Sequence, residues 1–173
     1  MVKNLDNTSQ EMYKIGKKIF PINRSITGEG NRKTLKILSK VFSDIIIHEV
    51  KTGTKCFDWE IPKEWNVRDA YIINPDGKKI CSFKKNNLHL LGYSSAINKR
   101  LPLNDLKKQL YSIPEKLNAI PYKTSYYKKN WGFCISENER KRLKKGTYTV
   151  FIDSELKNGS LTYGEILIKG KSK

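Results

Sequence analysis

The sequence predicts an α+β fold: two N-terminal helices, then a β-rich module, then a C-terminal hairpin. Three observations carry that reading. Up to Asp44 the apolar residues recur at helical spacing. From Ile45 onward they alternate or gather in β-branched runs. An Asn158-Gly159 pair then separates the last two of those runs, as in a tight hairpin.

Residues 8–20 read as the first helix. Thr8 and Glu11 form a capping box, Met12, Ile15 and Ile19 share a face, and Pro21 closes the segment. A loop of turn formers follows, carrying Arg24, Ser25 and Thr27. The second helix is expected from about Asn31 to Asp44, with Leu35, Leu38, Val41 and Phe42 inward. Ile45 to Lys51 and Phe57 to Ile61 read as strands. Ala70 to Asn74 and Lys78 to Phe83 form a hairpin across Pro75-Asp76-Gly77, where Pro fixes φ and Gly permits the turn. Asn87 to Tyr93 reads as a strand, Leu103 to Tyr111 as a short helix, and Ile120 to Ile135 as strand-like around a loop. Ser136 and Glu139 form a second capping box, opening a helix that stops at Gly146. Thr147 to Asp153 and Leu161 to Ile168 are then expected to pair with each other.

At 173 residues the chain fits one domain, or one domain plus part of another. Its 38% hydrophobic content, with three Trp, nine Tyr and six Phe, excludes a disordered chain. The net charge of +17 suits a polyanion partner. Only six of the 34 basic residues are Arg, however, and specific phosphate and base recognition leans on the guanidinium fork. Solvated surface lysines are therefore the preferred reading, and nucleic acid is disfavoured as a partner. Cys56, Cys81 and Cys134 are an odd number at wide spacing, which argues against a disulfide framework and a zinc ribbon. With no apolar leader and no run long enough to span a bilayer, the expected location is the cytoplasm, away from membranes.

Chemistry is sparsely signalled. There are two histidines, His48 and His89, and no HExxH, HxD or CxxC, whereas a catalytic zinc takes three converging ligands. His89 could serve as a ligand, a general base or a hydrogen-bonded strand residue. Gly28-Glu29-Gly30 before a helix resembles an anion-cradling turn but lacks the P-loop ending, so a plain turn is preferred. Arg24 just ahead of it would suit a carboxylate or phosphate clamp, or pack along its stem as a surface residue. The segment from Ile120 to Cys134 interleaves aromatics with lysines, as a stacking shelf for bases or sugars would, or as core anchors would. Asp58, Glu60 and Glu64 flank Trp59 and Trp65; Asp58 and Glu60 share one strand face, and ion pairs with surface lysines explain them.

The strings FPINRSITGEGNRKTLK, TGTKCFDWEIPKEWNVRDAYI, NNLHLLGYS, IPYKTSYYKKNWGFC and GSLTYGEILIKG occur in that order. Together they resemble a bacterial family of aminopeptidase-like proteins, which joins a zinc-peptidase α/β domain to an inserted β-rich domain and is often encoded among polysaccharide-biosynthesis genes. The resemblance covers about Phe20 to Gly170. It implies an incomplete α/β zinc-peptidase-like domain: residues 1–50 its helices and first strand, 51–145 the insertion, and 146–173 strands leading toward the rest. In that family the metal ligands come from later segments, including a Cys-His-Pro motif, that lie past Lys173. The resemblance thus implies zinc for full-length members, and no cofactor, metal ligand or catalytic residue in this chain. It points to a partner polypeptide completing the domain; separately, an unfinished sheet edge at the C-terminus would suit a homo-oligomer. The positions the resemblance carries over are Arg24, Ser25, Thr27, His89, Tyr126, Tyr127 and Trp131, expected to form a substrate-facing wall. The alternative expectation is a basic, aromatic-rich module that binds a polyanion or glycan.

Overall fold

The first helix runs longer than its cap predicts. In the computed structural model, which describes residues 2–126 and 128–170, helix α1 spans Val2–Ile19. Thr8 and Glu11 therefore lie inside it rather than capping it. Once nucleated, a helix gains one hydrogen bond per added residue, and an interior Thr costs under about 1 kcal/mol. Helix α2 spans Glu29–Leu38 and ends well before Asp44. Val41 and Phe42, expected inward, are exposed. The chain there winds through tight turns, with Lys40 N donating to Ile37 O (3.3 Å) and Val41 N to Leu38 O (2.9 Å). Val, Phe, Ser and Asp in succession are weak helix formers.

Two compact units divide the chain: residues 1–64 with 157–173, and residues 65–156. In the first, α1 packs on α2, and α2 on a two-stranded antiparallel ribbon of β1 (Ile46–Lys51) and β10 (Ser160–Glu165). His48 stands opposite Tyr163 and Val50 opposite Leu161. β2 (Lys55–Cys56) and β3 (Trp59–Glu60) make a small hairpin. Its two-residue loop is Phe57-Asp58, with Phe57 at φ +54° and fully exposed. The strand expected over Phe57–Ile61 is therefore a turn at its start, and Asp58 does not share a strand face with Glu60. Five alternating residues could not distinguish those outcomes, because a hairpin also reverses which residues face each other.

The second unit is built on a four-stranded sheet in the order β5-β4-β9-β6. Its strands are β4 (Glu64–Ile73), β5 (Lys79–Ile80), β6 (Ile97–Pro102) and β9 (Thr147–Lys157). The Pro75-Asp76-Gly77 hairpin forms as expected, with Asn74 N donating to Lys78 O (2.9 Å). Helix α3 (Leu103–Lys107) leads into β7 (Leu110–Tyr111), which pairs in parallel with β8 (Phe133–Cys134). Helix α4 (Glu137–Lys141) carries its predicted cap, with Glu139 N donating to Ser136 Oγ (3.3 Å). Ile72, Leu106, Phe133, Tyr148, Val150 and Ile152 fill the core. Asn87–His89 is a 3₁₀ turn and not the start of a strand. Leu88 N donates to the Asn86 side chain (3.0 Å), a local bond that competes with strand pairing.

The C-terminal hairpin is present as a two-stranded ribbon, with β1 in place of the expected partner. Thr147–Asp153 belongs to β9 in the four-stranded sheet, whereas β10 pairs with β1. Hydrogen bonds at the Asn158-Gly159 turn account for the switch. Gly159 N donates to Thr52 Oγ1 (3.0 Å), Thr52 N to Gly159 O (2.9 Å), and Ser160 N to Glu64 Oε1 (2.9 Å). These bonds fasten the turn beside the end of β1. β10 leaves it already aligned with that strand.

Candidate functional site

Arg24, Ser25 and Thr27 lie in the loop between α1 and α2, and all three bind backbone carbonyls. Arg24 Nη1 donates to Ile19 O, Ser25 Oγ to Thr27 O (2.5 Å), and buried Thr27 Oγ1 to Lys63 O (3.2 Å). The loop lies directly on the start of α2: a Cβ at Gly30 would fall 1.7 Å from Asn23 O. The Gly-Glu-Gly sequence thus permits close packing. Glu29 supplies negative charge to the helix N-terminus, where the macrodipole favours it.

Beside this loop sits a cluster that sequence reasoning did not separate from its neighbours. Arg32 Nη1 donates to Glu64 Oε1 (2.7 Å) and Nη2 to Glu64 Oε2 (2.8 Å), a two-point pair. Glu64 is only 4% exposed and also accepts from Ser160 N (2.9 Å). Arg32 Nε and Nη2 also donate to Glu29 Oε1 (3.1 and 2.6 Å). Hydrogen bonding to Glu64, reinforced by Glu29, holds the guanidinium proton more firmly than usual despite desolvation. A Cβ at Gly159 would meet Glu64 Cδ at 2.4 Å, so glycine is what lets the turn close over the carboxylate. In the sequence, Glu64 is one of three acids around two Trp, with nothing to mark it as the buried one.

The other expected site residues belong to the second unit. His89 is half-buried in the 3₁₀ turn, and its Nδ1 donates to Cys134 O (2.9 Å), making Nε2 the acceptor of the neutral ring. Tyr126, at φ +39° and exposed, leans on the buried Tyr93 ring (5.2 Å between centroids). Tyr93, itself at φ +64°, stacks on Trp65 (5.4 Å), whose Nε1 donates to Ser94 O (2.9 Å). Two non-glycine residues at positive φ in one aromatic stack indicate backbone strain held in place by packing. Trp131 is half-buried and lines a groove beside β6. Tyr127 lies outside the described residues. The carried-over positions thus fall in two units: Arg24, Ser25 and Thr27 in one, His89, Tyr126 and Trp131 in the other.

The donor set does not fit a catalytic zinc. Among the described residues no group of three or more His, Cys, Asp or Glu is placed to hold a metal ion. His48 stacks on Tyr163 (4.8 Å), with its Nε2 3.3 Å from Glu165 Oε2, which supplies two donors where three are needed. Burial raises the Cys81 thiol far above its ordinary range and pushes Cys134 up to about 11, away from the thiolate a metal requires. No helix among the described residues is long and apolar enough to cross a membrane.

Residues 64–155 match the profile of a domain of unknown function, DUF2172, nearly the same span as the second compact unit. The chain belongs to the DUF2172 family. It is also 49% identical over 170 residues to a Clostridium acetobutylicum protein named for polysaccharide biosynthesis, with an aminopeptidase-like domain. A crystal structure from the same organism, named as a peptidase, superposes with a TM-score of 0.90 at 50% identity. The alignments cover 98% and 94% of this chain but only 39% and 38% of those proteins. The fold of both units is therefore that of the aminopeptidase-like relatives, and the chain spans well under half of their length.

Proposed function

We propose that this chain is part of an aminopeptidase-like protein of polysaccharide biosynthesis. In this reading, residues 1–64 and 157–173 form a fraction of the peptidase-like layer, and the DUF2172 unit is inserted into it. Further polypeptide completes the layer and brings the zinc ligands. The observation that carries this reading is the apolar surface of the first unit. Ile46 and Ile47, adjacent on β1 and so on opposite faces, are both exposed, as are Met12, Tyr13 and Phe20 on and after α1. Beyond β10, Leu167 and Ile168 are 74% and 86% exposed. Large apolar side chains left exposed on several elements of one unit suit burial by further polypeptide. The occupant this surface suits is the polypeptide corresponding to the uncovered share of the relatives. Arg24 and Thr27 are then read as scaffold for a substrate wall that the added segment finishes.

Mixing the chain with the remaining polypeptide of the Clostridium acetobutylicum relative tests this. The expected result is an equimolar complex by light scattering and zinc-dependent hydrolysis of aminoacyl amides, both lost with Leu167→Asp and Ile168→Asp. Two soluble partners that never associate, or a self-associated chain that excludes the added polypeptide, would contradict it.

A further inference from the structure

The DUF2172 unit carries a groove that the completion reading does not use. It has a volume of about 360 Å³ and runs along β6 and α3, bordered by Lys99, Arg100, Asp105, Lys108, Gln109 and Trp131. β6 ends the sheet, pairing with β9 on one side only among the described residues. Asp105 is already committed, since Lys108 Nζ donates to its Oδ1 at 2.7 Å. That bond, helped by nearby Lys99, holds the Asp105 carboxyl below its ordinary range. Among the described residues no ion pair within 4 Å joins Lys99 or Arg100 to a carboxylate, and with Asp105 set against Lys99, Arg100 and Lys108 the groove keeps an excess of positive charge. Gln109 Oε1 is buried there without a hydrogen-bond donor. An acceptor shut away from water in this way is costly, and an arriving donor relieves it.

We propose that this groove binds an acidic sugar residue of a polysaccharide or its precursor. Three features define the ligand chemistry. The Trp131 ring offers an apolar platform for the C–H face of a pyranose. Lys99 offers a partner for a carboxylate, and Arg100, the next residue on β6 and so on the opposite face, adds positive charge at the groove's edge. A turn of the Gln109 amide presents its oxygen to a hydroxyl or N-acyl N–H. A single-stranded nucleic acid fits less well, because base binding uses successive aromatic platforms and this groove has one. An extended acidic peptide added to β6 is disfavoured by Lys99, Arg100 and Pro102, residues that blunt a sheet edge. The volume falls within the range of small-molecule sites, roughly 300–1,000 Å³. The assignment takes its context from the polysaccharide role proposed above, but it concerns one unit and does not need the peptidase layer completed.

The test uses the intact 173-residue chain, with an oligogalacturonate, a neutral oligosaccharide of equal length, inorganic phosphate and oligo-dT as probes in calorimetry. The oligogalacturonate is expected to bind at least about tenfold more tightly than any other probe. Trp131→Ala should weaken it by about tenfold or more. Lys99→Glu, at an exposed edge position where folding is little affected, should do likewise, with both variants keeping the parent melting temperature. Equal affinity for oligo-dT and oligogalacturonate would overturn the proposal by reducing the groove to a basic surface. So would uronate binding that survives Trp131→Ala in a folded protein. Neither result would touch complex formation through Leu167 and Ile168, so the two readings fail separately.

Discussion

In residues 65–156 the side chains shut away from water include Ile72, Leu106, Phe133, Val150 and Ile152. In residues 1–64 and 157–173 they are Thr27, Thr34, Glu64 and Thr162, with Ile61 the apolar exception among the described residues. Most of the exposed large apolar residues lie the other way: Met12, Phe20, Val41, Ile46, Leu167 and Ile168 belong to the first unit, against Leu117, Tyr122, Tyr126 and Leu156 in the second. The second unit buries more of its apolar residues than the first does. Hydrophobic burial is the main favourable term in folding, so the contrast identifies where further polypeptide would add stability.

The sharpest way to break this comparison is to remove apolar volume from each side. Phe133→Ala is expected to cost about 3–5 kcal/mol in urea unfolding, through lost transfer energy and the cavity left behind. Leu167→Ser, at an exposed position, should change the stability of the isolated chain by less than about 0.5 kcal/mol. Comparable losses for the two would mean that the first unit buries its apolar surface after all.

Next in size is the buried ion pair, which lends the first unit order that its apolar residues do not. Glu64→Gln leaves Arg32 facing a neutral amide and should cost about 3 kcal/mol, near the lower end for breaking a buried pair. Circular dichroism melting would read it. A neutral result would show that solvent already screens the pair.

The smallest effect, and the one requiring no mutation, is thiol reactivity. Cys56 is exposed in the first unit, whereas Cys81 and Cys134 are buried in the second. Native protein should therefore react rapidly at one thiol only. Burial pushes the Cys134 pKa up to about 11, so its thiolate fraction stays small near neutral pH, and labelling should wait for unfolding. Rapid labelling of all three thiols in native protein would show that the second unit opens readily.

The two units also differed in how legible they were. Helical spacing located α1 and α2, and Pro75-Asp76-Gly77 located its hairpin, because in each case the signal is local. The pairing of β10 was not local. It depends on Thr52, Glu64 and Gly159, residues far apart in sequence whose hydrogen bonds fix the turn. Phe57 at a positive φ is a position that propensity assigns to glycine or asparagine, so an apolar residue there concealed the turn. The ordered motifs identified the family, since they register long-range constraints that periodicity does not. The residues they carried over proved mixed in character: Thr27 is buried and bound to Lys63 O, whereas Trp131 faces a groove. Lys99, Arg100 and Gln109 were missed because only the fold gathers them around that tryptophan.

Hydrogen exchange on the 173-residue chain, alone and with the remaining polypeptide of the Clostridium acetobutylicum relative, tests the central claim most directly. In the chain alone, β4 and β9 should be strongly protected, while α1, β1 and β10 exchange through low-energy local opening. Adding the polypeptide should slow exchange in α1, β1 and β10 and leave β4 and β9 unchanged. If β1 and β10 are as protected as β9 in the chain alone, and do not respond to the added polypeptide, the first unit is complete and the account is wrong.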